Sequence, residues 1–513
     1  MFHTPLLTGG KLNRKITIIP VFCVIESREI LFPVLLQHKF LRMLPRILRY
    51  AMILALSASM AWTVSCRKSE KVDTDPSLRL DFSTDTIFFD TVFTTIGSVT
   101  QRLMVYNNND HKLVISSIAL AGGGNSCFRI NIDGTPSLSI SNVGIDGHDS
   151  LFIFIRVTVD PTGQGTPFII ADSIVFTVNG NLQDVKLVAW GQNAIFHKQE
   201  ELAGNAVWDS LKPHVIYGYL RVDTSSTLTI LPGSKIYFHM GSYLALSHLS
   251  SLKILGNLAH PVRFQGDRLD PYYRDLPGQW DGILLESGSR DHEINYAVVK
   301  NGTRGIGIDS ATVAGTPMLK IDNTIIQNMT YDGIFAYASS ILSTNCVIGN
   351  CGGSALDLTF GGSYDFRQLT IGNYWGSSVR VSPSLYLSNF TYDNLGNRRM
   401  NALSNAYFGN CIIAGNQDEE ILPDKDDAAQ FQFAFDHCLL TTQINTGQDP
   451  QHYISCLVNE DPLFLDVQDF DYRIDSLSPV IDKGIQVGVL YDILGVERGS
   501  TPDLGAYQWV PSR

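Results

Sequence analysis

Between Asp357 and Arg380 the chain concentrates side chains that could hold or cut a sugar. Asp357 is followed by "GGSYDFRQLTIGNYWGSSVRV", which supplies Tyr364, Asp365, Arg367, Tyr374, Trp375 and Arg380. Rings stack on pyranose faces, and carboxylates and guanidinium groups hydrogen-bond sugar hydroxyls. The bland alternative is aromatic packing at a turn beside surface ion pairs. A second pair, Lys300 and Arg304, sets an amine near a guanidinium group, types that could abstract a proton beside a carboxylate. An amine base would take the proton α to a uronate carboxylate, and a neighbouring cation would neutralise that carboxylate. One repeat later Gln327 occupies the lysine position, which leaves the pattern incomplete. His437 in "FDHC" and the acids of "DDAA" at 426–429 suit a turn beside a core cysteine and a solvated loop. No complete catalytic constellation, metal-ligand spacing or cofactor motif emerges. The ion an acidic surface would recruit is calcium.

These residues sit inside a repeat. Asparagines close the phrases "VVKN", "IIQN", "VIGN", "TIGN", "TYDN" and "IAGN" at 301, 328, 350, 373, 394 and 416. The intervals are 27, 22, 23, 21 and 22 residues. A period near 22 with β-branched residues before each asparagine marks a solenoid. The intervening segments are too short and glycine-broken for helices. Their apolar residues alternate, as in Ile306/Ile308 and Leu356/Leu358, which predicts strands with one buried face. Successive coils would place the asparagines about 4.8 Å apart, close enough for a side-chain ladder. The expected fold is all-β: a parallel β-helix over 205–455. Earlier alternating strands are expected at 227–231, 235–238, 243–246 and 252–255.

The same periodicity orders the cysteines. Cys346, Cys411 and Cys438 are expected in one column with Thr324, Leu369 and Phe390. A mixed column of that kind is a buried stack of free thiols. Cys411 and Cys438, one coil apart, are the pair in it that could oxidise. Cys351 is expected in a turn.

Residues 78–195 differ. "FDTVFTTIGSVTQRLMVYNNNDHKLVISSIALAGG" alternates like antiparallel strands, and further strands follow without helices, which predicts a small β-sandwich ahead of the solenoid. Nothing in it singles out a site.

The beginning of the chain reads as a leader. From Met43, Arg46 and Arg49 precede an apolar run at 51–64, then Ser65 and Cys66. Residues 43–65 resemble a bacterial lipoprotein signal, which implies lipidation of Cys66. Ordinary cleavage near Ala61 and an uncleaved anchor are the alternatives. Residues 1–42 fit an upstream start, and 66–77 a polar tether. The whole chain carries a formal net charge of −12. Residues 1–65 hold eight Lys/Arg and two Asp/Glu, leaving 30 basic against 48 acidic residues, a net −18. That balance argues against nucleic acid as a partner. It also repels polyanions unless a local basic groove or bound calcium intervenes.

Three phrases carry a family resemblance: Pro232-Gly233, Gly256 to Phe264, and Trp280 to Ile283. They resemble the N-terminal coils of bacterial right-handed parallel β-helix repeat proteins. The end of the chain, "DPLFLD", "SPVIDKG" and "DLGAY", resembles the segment that closes many exported β-helix proteins, here 456–513. "Y-x-N-x-x-x-x-x-L-x-I-S-x-I" from Tyr106 to Ile118 resembles immunoglobulin-like modules of exported bacterial proteins. The resemblance implies a right-handed coil and specifies no activity. The family includes polysaccharide lyases and hydrolases, but an Asp-Asp followed by Gly-His-Gly, an Arg-Ile-Lys and an Arg-x-Pro-x-x-Arg motif are missing here. The leading expectation is a lipid-anchored envelope protein that binds an extended polysaccharide or other surface polymer without cleaving it. A carbohydrate-active enzyme, lyase before hydrolase, is the alternative, and a structural or adhesive surface protein is the third.

Overall fold

The computed structural model describes residues 71–511 apart from 95–96, 161–167 and 311–316. The leader and Cys66 lie outside the described residues. Among the described residues no helix is long and apolar enough to cross a membrane.

The N-terminal unit is a sandwich of two five-stranded sheets. One sheet is ordered Asp81–Phe82, Gln101–Asn107, Asp149–Val157, Phe128–Ile132 and Thr135–Ser137, all antiparallel. The other runs Thr86–Phe93, Asn181–Gln192, Phe168–Val178, Leu113–Leu120 and Ser139–Ile145. Its first pair is parallel and the rest antiparallel. Strict alternation in "SLFIFIRV" buries Leu151, Ile153, Ile155 and Val157 and turns Phe152, Phe154 and Arg156 outward. That period-two pattern is what one buried sheet face requires. Phe93 packs on Tyr237 at 5.0 Å with Val215 beneath, joining the sandwich to the next unit through a buried apolar contact.

From Ile195 to Val458, twenty-six short strands form one sheet in which every pairing is parallel. This is a parallel β-helix. Leu220, Leu244, Ile283, Ile306, Ile334, Leu356, Leu385 and Ile421 pair one above the next, a continuous inner column. All eight are buried. Short strands occupy Thr227–Ile230, Lys235–Phe238, Tyr243–Leu246 and Ser251–Leu255, as the alternation predicted.

Asparagine marks the corners because it tolerates left-handed backbone. Asn301, Asn328 and Asn350 have φ of 66°, 60° and 51°. The Asn328 amide donates to Asn301 Oδ1 at 3.3 Å, and Asn350 to Asn328 at 2.8 Å. Asn373 leaves the ladder: its Oδ1 accepts the Cys351 backbone N–H at 2.7 Å. A second ladder turns another corner, with Asn323 donating to Asn295 at 3.0 Å and Asn345 to Asn323 at 3.1 Å.

Two expectations fail at the same place. Thr370–Asn373 pairs directly with Ile412–Gly415, so one coil runs from 374 to 415. Asn394 belongs to no corner. It lies in the exposed turn of an antiparallel hairpin, Phe390–Tyr392 with Arg398–Met400, inserted into that coil. Phe390 therefore leaves the cysteine column, and Leu369 is followed by Cys411. The column continues through Cys438 to Cys456. Cys346, Cys411 and Cys438 are buried and unbridged. Cys411 N–H donates to Cys438 Sγ at 3.3 Å. Cys351 sits at the end of a strand, fully buried, rather than in an open turn.

The last residues do not stack on the end of the helix. They fold back along its flank. Val347, Tyr472, Ile493 and Ala506 bury one another, as do Ile412, Leu439, Ile474, Val480 and Leu504. The strands Val347–Cys351 and Thr370–Asn373 are consequently buried on both faces. This explains the glycines of "VIGN" and "TIGN": a β-carbon at Gly372 would lie 2.3 Å from the Tyr472 ring, and one at Gly349 2.5 Å. The terminal phrases staple one another. Ser478 Oγ donates to Pro462 O at 2.6 Å, and Asp503 accepts the N–H groups of Asp482 and Trp509 at 2.8 and 2.7 Å.

Candidate functional site

The predicted ligand-binding residues do not share one surface. Tyr364 is fully buried inside the helix, its hydroxyl donating to Gly361 O at 2.9 Å. Burial raises its pKa, and no ring face is free for a sugar. Trp375 is buried and donates to Ser378 Oγ at 3.0 Å. Arg380 forms a buried ion pair with Glu420, at 2.8 Å through Nη1, and also donates to Asn416 Oδ1 at 2.9 Å. It rivets the inserted coil and is closed to any ligand. Arg367 grips Asp365 with two bonds of 2.8 and 2.7 Å and donates to Val487 O at 2.9 Å, which pins the C-terminal segment. Tyr374 lies edge-to-face against Phe464 of that segment at 6.2 Å.

The lyase pair fails on geometry. Lys300 donates to Arg274 O at 2.9 Å and pairs with Asp275 at 3.3 Å. Arg304 lies beyond the Asn301 corner and binds Asp332 Oδ2 through Nε and Nη2 at 3.1 and 3.0 Å. Each cation already holds its own carboxylate, so Lys300 is not free to act as the base and Arg304 is not free to neutralise a uronate.

Asp357, like Asp365 and Arg367, faces outward from the strand Leu356–Arg367, and unlike them it is not locked in an ion pair. Gly307, Phe335, Asp357, Tyr386 and Leu422 pair in sequence along one outer column. Their alternation with the buried column makes them point outward. Arg304 lies over the Phe335 ring at 4.5 Å. Thr359 Oγ1 donates to Asp357 Oδ1 at 2.5 Å. Burial pushes the Asp357 carboxyl up to about 7, the charge of Asp332 adding and that of Arg304 opposing. Burial also raises Asp332, against the pull of Arg304. The Tyr386 hydroxyl donates to Asp424 Oδ2 at 3.1 Å, and burial with that carboxylate pushes its pKa up to about 12. Beside the column, Tyr337 stacks on Phe360 at 5.0 Å. Ala338 and Phe360 hold left-handed backbone at φ 47° and 67° where the two strands shift register. Such conformations are costly for non-glycine residues and concentrate at functional sites.

The structure therefore brings Arg304 and Asp357, taken separately from the sequence, onto one face through Asp332. Phe335 and Asp357 each follow a ladder asparagine by seven positions, a signal the repeat carried. Tyr386 and Asp424 lie across the inserted coil, where that counting breaks.

Chemically, the face offers an aromatic wall, a carboxyl able to donate or accept a proton near neutrality, and hydroxyl groups at coil spacing. No protein-family model and no curated protein matches the chain. Among solved structures it is similar to the pectate lyase Pel9A, at 10% identity over 62% of this chain and 87% of that one, with a TM-score of 0.28. It is also similar to a family 123 glycoside hydrolase from Clostridium perfringens, at 9% identity, 24% and 26% coverage and a TM-score of 0.17. A protein of unknown function from Porphyromonas gingivalis W83 matches at 15% identity, 24% and 48% coverage and a TM-score of 0.17. The chain spans about half the length of that protein and a quarter of the hydrolase. At scores this low the likenesses establish neither family nor activity.

Proposed function

We propose that the chain is an envelope protein, anchored through lipid on Cys66, that holds an extended polysaccharide or another linear surface polymer along the Phe335–Asp357–Tyr386 column without cleaving it. One observation carries this: an aromatic ring, a carboxyl and a phenol stand in register on the outer side of consecutive coils. A linear polymer laid along the axis would meet one such group about every 4.8 Å. Electrophoresis of the intact chain through gels containing single polysaccharides tests it. Retardation by one polymer that disappears in an F335A/Y386A double variant is expected. Retardation unchanged in that variant sinks the assignment of this face. Labelling by radioactive palmitate that is lost in C66S tests the anchor, and equal labelling of both chains refutes it.

A second reading, a carbohydrate-active enzyme, draws on Asp357, whose raised pKa suits a general acid or base. Incubation with acidic polysaccharides, following the absorbance of unsaturated uronate ends and the appearance of new reducing ends, separates it from the first. Product abolished by D357N would establish catalysis, and no product with any polymer that the chain retains would exclude it.

A further inference from the structure

We infer that the outer face of the sandwich carries a site for an acidic sugar, a carboxylate- or sulfate-bearing pyranose, between Arg129 and Arg156. The two arginines are direct cross-strand partners on Phe128–Ile132 and Asp149–Val157, both exposed. Their β-carbons are about 5 Å apart, and like charges so placed repel. Arg129 is held down by bonds from Nη1 to Ser126 O at 2.6 Å and Phe128 O at 2.7 Å, both backbone acceptors that leave its charge uncompensated. Arg156 and the nearby Arg102, opposite Phe154, make no ion pair or side-chain hydrogen bond among the described residues. In a chain so acidic, a repelling arginine pair without a carboxylate is a cost that a bound oxyanion would remove.

The surroundings specify what carries the oxyanion. A cavity of about 400 Å³ is lined by Arg129, Arg156, Asn131, Phe154, Pro136 and Thr100. Asn131 Oδ1 is buried there without a hydrogen-bond partner, an acceptor awaiting a hydroxyl. Phe154 and Pro136 supply an apolar wall for a ring face. A second cavity of about 580 Å³ shares the two arginines and extends the site toward Asp160, the one acid that lines it. An anion, a hydroxyl donor and a flat apolar face together describe an acidic sugar better than a bare ion.

A membrane headgroup fits less well. The chain enters the sandwich at the opposite end, where Val72 bridges Lys112 and Asn107 pairs with Asp149. Arg156 lies seven strand residues further on, about 23 Å away.

Isothermal titration of the intact chain with trigalacturonate, maltotriose and inorganic sulfate tests the site. Trigalacturonate should bind, weaken with added salt, and lose at least tenfold in affinity in R156Q, with N131L also weakened. Maltotriose should not bind. Equal binding of maltotriose, unchanged affinity in R156Q, or sulfate bound as tightly as trigalacturonate would each overturn the proposal. Both side chains are at the surface or a cavity edge, so near-ultraviolet circular dichroism should confirm that each variant is folded. The site shares no residue with the Asp357 face, so an F335A/Y386A chain should titrate as the wild type does.

Discussion

On the sandwich, Arg129 and Arg156 oppose each other with no carboxylate between them. On the β-helix, Arg304 lies against Asp332, Arg367 against Asp365 and Arg380 against Glu420. The two units carry the same residue type for different ends. In the solenoid these three arginines each meet a carboxylate from the same or another coil, so their guanidinium groups become fasteners, and the deepest one is wholly enclosed. In the sandwich the strands cross in register with like charges together, an arrangement that adds nothing to stability. An arginine tells little about binding until its partner is known.

The contrast can be broken most forcefully at Glu420. E420Q leaves Arg380 buried and charged without a counter-ion, and should lower the free energy of unfolding by about 3–5 kcal/mol in a urea titration. A loss under 1 kcal/mol would mean that the solenoid pairs are no more structural than surface ones. R304Q should cost less, about 1–3 kcal/mol, because that pair is only partly enclosed. It should also raise the Asp357 pKa further, since Arg304 currently lowers it. Asp357 itself makes stability depend on pH. Its folded value near 7 exceeds the ordinary carboxylate value, so the folded chain binds the extra proton. That stability is fully present at low pH and is lost as pH rises from about 4 through 7. The decline should be about 1–2 kcal/mol, discounted for partial solvent access, and D357N should flatten it. Smallest of all, R156Q should change stability by no more than about 0.5 kcal/mol, and toward stabilisation, because it relieves a repulsion. A marked loss there would show that the sandwich arginines are fasteners after all.

The coil was legible because its signal is repeated. Asn301, Asn328 and Asn350 do the same conformational task at each corner, and the apolar alternation between them has one explanation. The inserted coil was illegible for the same reason. Asn394 kept the interval because a hairpin turn, where Asp393 Oδ1 accepts from Leu395 and Asn397 N–H at 2.9 Å each, favours the residue types that corners favour. The binding face was half legible. Asp357 stood out as an acid among aromatics, yet Tyr364 and Trp375 looked equally suitable. Strand alternation puts Tyr364 indoors, and only the register shift at Phe360 shows which parity holds beyond it. Arg380 read as a surface cation because its partner lies 40 residues away across the insertion.

The flanking tail has a consequence for how the molecule is made. Val347, Ile412 and Leu439 point away from the coil interior and pack against Tyr472, Ile474, Val480, Ile493, Leu504 and Ala506, all of which follow them in the chain. While the polypeptide is being synthesised, those coils can wind up with a greasy stripe exposed and nothing yet available to shield it. A ribosome stalled before Tyr472, or a premature stop there, would leave a sticky rod prone to clumping.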